Sequence, residues 1–257
     1  LATELFTKIA DSINNQPRSM QKRIGPSELG VPCARRVGYR LSGMPTVNNR
    51  GPAWKPYVGT ALHEQLANLM ASDEAQRITR NPEAGTRWHV EERLSVGEIN
   101  GTEITGSCDL FDEANGAVWD WKFTSRNQIR ENYRPKGPGE QYRAQAHLYG
   151  RGWERKGYEV RTVGVIFMTR DGEISDRHVW SEEYNPAIAK AALTRASEIS
   201  VALDALGADF VLPTLDTADA HCRFCPWFRS GSQDLALGCP GQETQQEQPT
   251  LTQLIGA

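Results

Sequence analysis

The sequence predicts an α/β fold in which a central mixed β-sheet is flanked by helices. An apolar period of two sets in from about Arg87 to Asp120, and turn residues cut this region into three strands. Two further strand-like runs follow, and helical patterns lie before, between and after the strands. No proline-rich linker divides the chain, so residues 1–241 read as one domain, and the polar, Gln-rich residues 242–257 as a flexible tail.

Leu5, Phe6, Ile9 and Ile13 trace a helical stripe within residues 1–17. Gly25 and Pro26 interrupt the chain, and a short helix is expected over residues 33–41. Residues 42–56 read as loop, because Gly43, Pro45, Asn48, Asn49, Gly51 and Pro52 crowd them. Residues 57–70 read as helix, with Leu62, Leu66, Leu69 and Met70 forming the stripe and His63 beside it. Trp88, Val90, Leu94 and Val96 mark the first strand. Residues 104–111 and 117–123 supply the next two, around a turn at 112–116. Helical period returns over residues 139–156 through Tyr142, Gln145, Ala146, Leu148 and Tyr149. Residues 160–168 and 174–180 read as strands, and the Ala-rich residues 185–206 as a long helix.

With 257 residues the chain can bury a core without disulfides. Lys and Arg number 29 against 32 Asp and Glu, a net charge of -3. That balance excludes a basic DNA-wrapping protein and leaves room for an enzyme with a locally basic cleft. The odd, irregular set of Cys33, Cys108, Cys222, Cys225 and Cys239 makes a poor disulfide framework. No early apolar run of signal type and no membrane-length apolar run stands out, so a cytoplasmic, thiol-preserving compartment is expected.

The sharpest local pattern is Gly106-Ser-Cys-Asp109 followed by Asp120-Trp-Lys122. Side chains at 120 and 122 share a strand face, about 6–7 Å apart at their α-carbons. Two carboxylates can hold a hard divalent cation, Mg²⁺ or Mn²⁺, which polarises a phosphate and lowers the pKa of water. Lys122 can orient the attacking water and offset phosphoryl charge. An edge salt bridge explains an isolated Asp-x-Lys equally well. His63 alone reads as a hydrogen-bonded core histidine; brought to the aspartates, it becomes a third ligand or an organiser of the metal's water. Gln145 and Tyr149 share a helix face, with Gln141 one turn earlier, and can grip a phosphate or nucleotide. Packing against the sheet is the other reading of Tyr149. Arg143, Arg151, Arg155 and Lys156 are candidates for a basic surface.

Cys222-x-x-Cys225 and Cys239-Pro240 form a compact three-thiolate set. Cys33 is the better candidate for a fourth ligand, and His221 is the alternative for zinc. Spacing does not separate zinc from [4Fe–4S]. Phe224, Trp227 and Phe228 are candidates to shield the group.

Together, Ser27-Glu-Leu-Gly-Val-Pro-Cys33 with Arg35 and Arg36, Gly59-Thr-Ala-Leu-His63-Glu64, Gly106-Ser-Cys-Asp109, Asp120-Trp-Lys122, Gln145-x-x-x-Tyr149 and the closing cysteines resemble the PD-(D/E)XK nuclease superfamily. More narrowly, they resemble the RecB-like iron–sulfur exonucleases of CRISPR adaptation and their phage relatives. The resemblance implies a restriction-endonuclease-like core with a terminal iron–sulfur-binding helical region. It implies His63, Asp109, Asp120 and the Trp121 backbone carbonyl as metal ligands, and Lys122 as the catalytic lysine. Gln145 and Tyr149 would stand near DNA, and Cys33, Cys222, Cys225 and Cys239 would hold [4Fe–4S]. The implied activity is DNA cleavage from an end, single strands favoured, with recombination or CRISPR-adaptation partners and a phage origin in view. Asp120 departs from the commoner Glu of the motif but still supplies a carboxylate. The rival readings are an inactive DNA-binding or assembly component and a zinc-stabilised structural protein.

Overall fold

A computed structural model of the chain describes residues 2–15, 23–218 and 221–242. The expected tail, apart from residue 242, lies outside the described residues. Helix α1 spans Ala2–Asn14, α2 Pro26–Leu29, α3 Ala34–Leu41 and α4 Trp54–Arg80. The strands β1 (Trp88–Ile99), β2 (Thr102–Asp112) and β3 (Ala117–Thr124) follow. Short α5 (Arg126–Gln128) and α6 (Arg134–Lys136) flank a π-helical turn at Ile129–Tyr133. The remainder is α7 (Gly139–Arg155), β4 (Thr162–Thr169), β5 (His178–Glu183), α8 (Pro186–Leu206) and α9 (Ala208–Val211).

The five strands form one mixed sheet in the order β1-β2-β3-β4-β5. All neighbours are antiparallel except β3 and β4, which run parallel. A parallel pair needs a long crossover, and α7 lies within it. This is the expected sheet flanked by helices, with two corrections. Helix α4 runs ten residues beyond the expected end at Met70. Its apolar stripe fades there, but residues 71–80 hold no Gly or Pro, and Glu74 pairs with Arg77 at 2.8 Å. Glu74 also accepts the Arg87 N–H at 3.0 Å, fixing the approach to β1. The last strand starts at His178, because residues Ile174–Asp176 form a 3₁₀ turn closed by reciprocal capping between Glu173 and Asp176.

Two compact units emerge from the packing: Leu1–Gly30 with Pro52–Ser197, and Val31–Gly51 with Glu198–Ala257. In the first, α7 buries Ala146, Leu148, Tyr149 and Trp153, and the sheet contributes Leu94, Phe111, Val118, Val163, Val165 and Phe167. Near α7, Gln141 donates to the Ser27 carbonyl at 2.7 Å, so this glutamine ties down α2. A Cβ on Gly106 would lie 2.8 Å from the Pro26 ring and 3.3 Å from the Tyr149 hydroxyl. Gly106→Ala should therefore cost about 1–3 kcal/mol of stability by overpacking. Denaturant unfolding checks this, and an unchanged midpoint would contradict it.

The second unit is assembled from two distant stretches. Arg35 donates to the carbonyls of Leu212, Pro213 and Leu215, and Asn48 to those of Arg223 and Cys225. Its core gathers Tyr39, Leu212, Cys225, Trp227 and Cys239. Tyr39 stacks on Trp227 with ring centroids 5.6 Å apart. No helix among the described residues is long and apolar enough to cross a membrane.

Candidate active site

Strand register builds the site. Val90 pairs with Leu110 and Glu92 with Cys108, which puts Glu91 opposite Asp109. Leu110 pairs with Trp119, and one step further along that register Asp120 stands opposite Asp109. Glu91, Asp109 and Asp120 therefore occupy one cross-strand row on three adjacent strands. The row lies where the β2–β3 ladder stops, its last pair being Leu110 with Trp119. There Asp109 Oδ2 accepts the Trp121 N–H at 2.7 Å, a carboxylate standing in for a ladder carbonyl.

The alternation of β2 also slips at this row. Cys108 and Phe111 would face opposite sides of a regular strand. Yet Trp153 donates to Cys108 Sγ at 3.4 Å and stacks on Phe111 at 4.4 Å. On β1 the matching irregularity is Glu91, whose φ is 51°.

Around the row, α4 brings His63, whose Nδ1 lies 3.3 Å from Asp109 Oδ1. From α7, Gln145 Nε2 donates to Asp120 Oδ1 at 2.9 Å. Lys122 Nζ sits 2.5 Å from Asp120 Oδ2 and 5.0 Å from the centre of the Tyr142 ring. Tyr133 stacks on Phe167 at 3.9 Å and lies beside Tyr142, so the lysine rests on a packed aromatic floor. Burial pushes the Asp120 carboxyl up to about 6; Lys122 opposes that rise and the Asp109 charge adds to it. Burial, with Asp120 and Asp109 adding, holds the Tyr149 phenol well above its ordinary value, which keeps it a neutral donor.

A ring nitrogen of His63 and one carboxylate oxygen each from Glu91 and Asp109 lie within 4.8 Å of one another. An octahedral Mg²⁺ or Mn²⁺ with bonds of about 2.1 Å needs donors about 3 Å apart when adjacent and about 4.2 Å apart when opposite, so this set fits a hard divalent ion. Gln145, whose Nε2 donates to Asp120, keeps its Oε1 buried without a hydrogen-bond partner, a polar atom a hydrated ion would satisfy. Asp120 stands outside that trio, engaged by Gln145 and Lys122.

The structure thus brings together His63, Asp109, Asp120, Lys122 and Gln145, with the Trp121 N–H on Asp109 and the Tyr149 phenol near both carboxylates. Gln141 turns away to α2. The expected basic surface is reduced by pairing, since Arg143 meets Glu182 at 2.6 Å and Lys156 meets Glu92 at 2.5 Å. Two residues went unread in the sequence. Glu91 emerges only from strand register, whereas Tyr142, three before Gln145 on the same helix face, carried a visible signal.

In the second unit, Cys33, Cys222, Cys225 and Cys239 line one pocket with Arg36, Tyr39 and Phe228. All five cysteines are free thiols, and Cys108 belongs to the first unit. Among the described residues no three of the pocket thiols come within the 4.8 Å spacing met by the His63 trio. A tetrahedral zinc site, with Zn–S bonds of about 2.3 Å, would hold its sulfurs about 3.8 Å apart. His221 is exposed, and Phe224 is exposed beneath Arg50 at 4.3 Å, so the expected shielding falls to Trp227 and Phe228.

A sequence profile described as the PD-(D/E)XK nuclease superfamily matches residues 35–230. No curated protein matches the sequence. Among solved structures the chain is similar to SSO0001, at 18% identity over 88% of this chain and 94% of that one, with a TM-score of 0.51. It is also similar to an alkaline exonuclease, LHK-Exo, from Laribacter hongkongensis, at 14% identity over 72% of this chain and 89% of that one, TM-score 0.45. The dAMP complex of LHK-Exo gives 17% identity over 70% of this chain and 91% of that one, TM-score 0.42. The profile spans most of the chain, and the chain belongs to the PD-(D/E)XK nuclease superfamily.

Proposed function

We propose that the protein is a divalent-metal-dependent deoxyribonuclease that works from free DNA ends and favours single strands. The observation that carries this reading is the meeting of His63, Asp109, Asp120 and Lys122 in one side-chain cluster of a nuclease-superfamily chain. In it, His63 and Asp109 would hold the ion; Asp120 and the Trp121 carbonyl, which the resemblance assigns as further ligands, would complete its shell once Asp120 turns an oxygen away from Lys122 or Gln145. When bound, the ion polarises the scissile phosphate and lowers the pKa of water at the reacting face. Lys122 neutralises charge developing on the phosphoryl oxygens, and its position over Tyr142 limits how far it can stray. Gln145 fixes the rotamer of Asp120, and the neutral Tyr149 phenol is a donor at the edge of the carboxylate row.

Preference for unpaired strands draws support from the start of α4. There Trp54 and Tyr57 stack at 5.8 Å, Trp54 being 58% exposed. Nine residues further along, about 14 Å at helical rise, the same helix presents His63. Exposed π faces bind bases without reading sequence. Arg170 donates to the Lys55 carbonyl, and its N–H meets the Thr124 carbonyl at the end of β3. This contact ties the aromatic pair to the strand that carries Lys122.

We further propose that the four-thiol pocket holds a structural [4Fe–4S] cluster, and that residues 1–241 act as one nuclease domain in a reducing cytoplasm. Recombination or CRISPR adaptation remains the setting suggested by the sequence resemblance. The test is cleavage of 5′-blocked, 3′-blocked and circular single-stranded DNA with Mg²⁺ or Mn²⁺, against EDTA. Linear DNA should be degraded from one end and circles spared. Asp120→Asn should abolish cleavage while the chain still folds, since burial already raises the Asp120 carboxyl and an amide keeps its shape and its contact with Gln145. Equal cleavage by this variant would overturn the catalytic assignment.

A further inference from the structure

We infer that Glu91 is an additional metal ligand of this centre, an inference that rests on the divalent-ion reading above. Its carboxylate lies within 4.8 Å of both a His63 ring nitrogen and an Asp109 oxygen, the spacing an octahedral ion spans. Asp120 is turned to Lys122 and Gln145, so the donors facing His63 and Asp109 come from β1. The backbone points the same way. A non-glycine residue inside a strand has no local reason to adopt a φ of 51°, a conformation that disfavours side chains with a Cβ. Gly would relieve it, yet the chain carries Glu at this position, directly across from Asp109, and keeps register on both sides through Val90 and Glu92. Strain of this kind is retained where surrounding structure needs the side chain in place. Glu91 is also exposed, so an ion held between it and Asp109 faces incoming phosphate, while Asp120 and Lys122 stand on the buried flank.

The test is Mn²⁺ binding to the full chain without DNA, by calorimetry, for Glu91→Gln, Glu91→Gly and Asp109→Asn, with melting temperature read on each. Glu91→Gln should weaken Mn²⁺ at least about tenfold with an unchanged melting temperature. Glu91→Gly should weaken it as much while melting at the same or a higher temperature, because it releases the strained φ. A purely structural glutamate would instead lower the melting temperature and leave Mn²⁺ affinity intact, which would overturn the inference. If Asp109→Asn loses Mn²⁺ and both Glu91 variants keep it, the inference fails and the metal centre stands. If Asp109→Asn also binds normally, the metal reading itself fails.

Discussion

Asp109→Asn should reduce DNA cleavage by at least about 10³-fold, a loss of about 4 kcal/mol of transition-state stabilisation. The size follows from the two jobs of this one carboxylate. Its Oδ2 accepts the Trp121 N–H and its Oδ1 faces His63. An amide has one acceptor and one donor end. If the oxygen keeps the Trp121 N–H, an NH₂ group faces the metal position. If the oxygen turns to the metal, two donors meet at Trp121 and the splay between β2 and β3 loses its pin. Either rotamer leaves one buried partner unsatisfied, so compensation within the site is closed off. Single-turnover cleavage with saturating Mn²⁺ is the measurement, and activity within tenfold of the wild type would remove Asp109 from the chemistry.

Cys225→Ala should abolish iron binding and lower stability by at least about 3 kcal/mol, because the energy of a bound metal group is folding energy. Trimming one buried thiol costs only about 1–2 kcal/mol. Any excess reports the missing group. Cys108→Ala supplies the comparison: its thiol is fully buried, more deeply than that of Cys225, lies against Trp153 and belongs to the other unit. It should keep full iron content and show only the small packing loss. Iron content and unfolding midpoint at wild-type values in Cys225→Ala would dismiss the cluster.

Much of the fold was legible because strand period and turn residues coincide. Residues 117–123, with alternating side chains between a turn and a polar end, became β3 almost residue for residue. The second half of α4 was hidden because a solvated helix needs no apolar stripe, only good helix formers and ion pairs such as Glu74 with Arg77. Asp109, Asp120 and Lys122 were readable from spacing, since one hairpin and a period of two bring them together. Glu91 was not: it precedes Asp109 by eighteen positions, and only the pairing of β1 with β2, along with a backbone no propensity scale anticipates, sets it in the row. Gln141 misled for the converse reason. Helix spacing placed it in line with Gln145, but its partner is a carbonyl in a segment over a hundred residues earlier.

The discontinuous make-up of the second unit bears on biosynthesis. Residues 31–51 are made well over a hundred residues before the segment beyond residue 211 where Arg35, Tyr39 and Asn48 have their partners. The sheet-bearing unit can finish while that stretch waits, its thiol at Cys33 unclaimed. On the cluster reading, delivery waits until Cys239 has been made, and a message truncated before Cys239 would yield a chain with its strands in place and no home for iron.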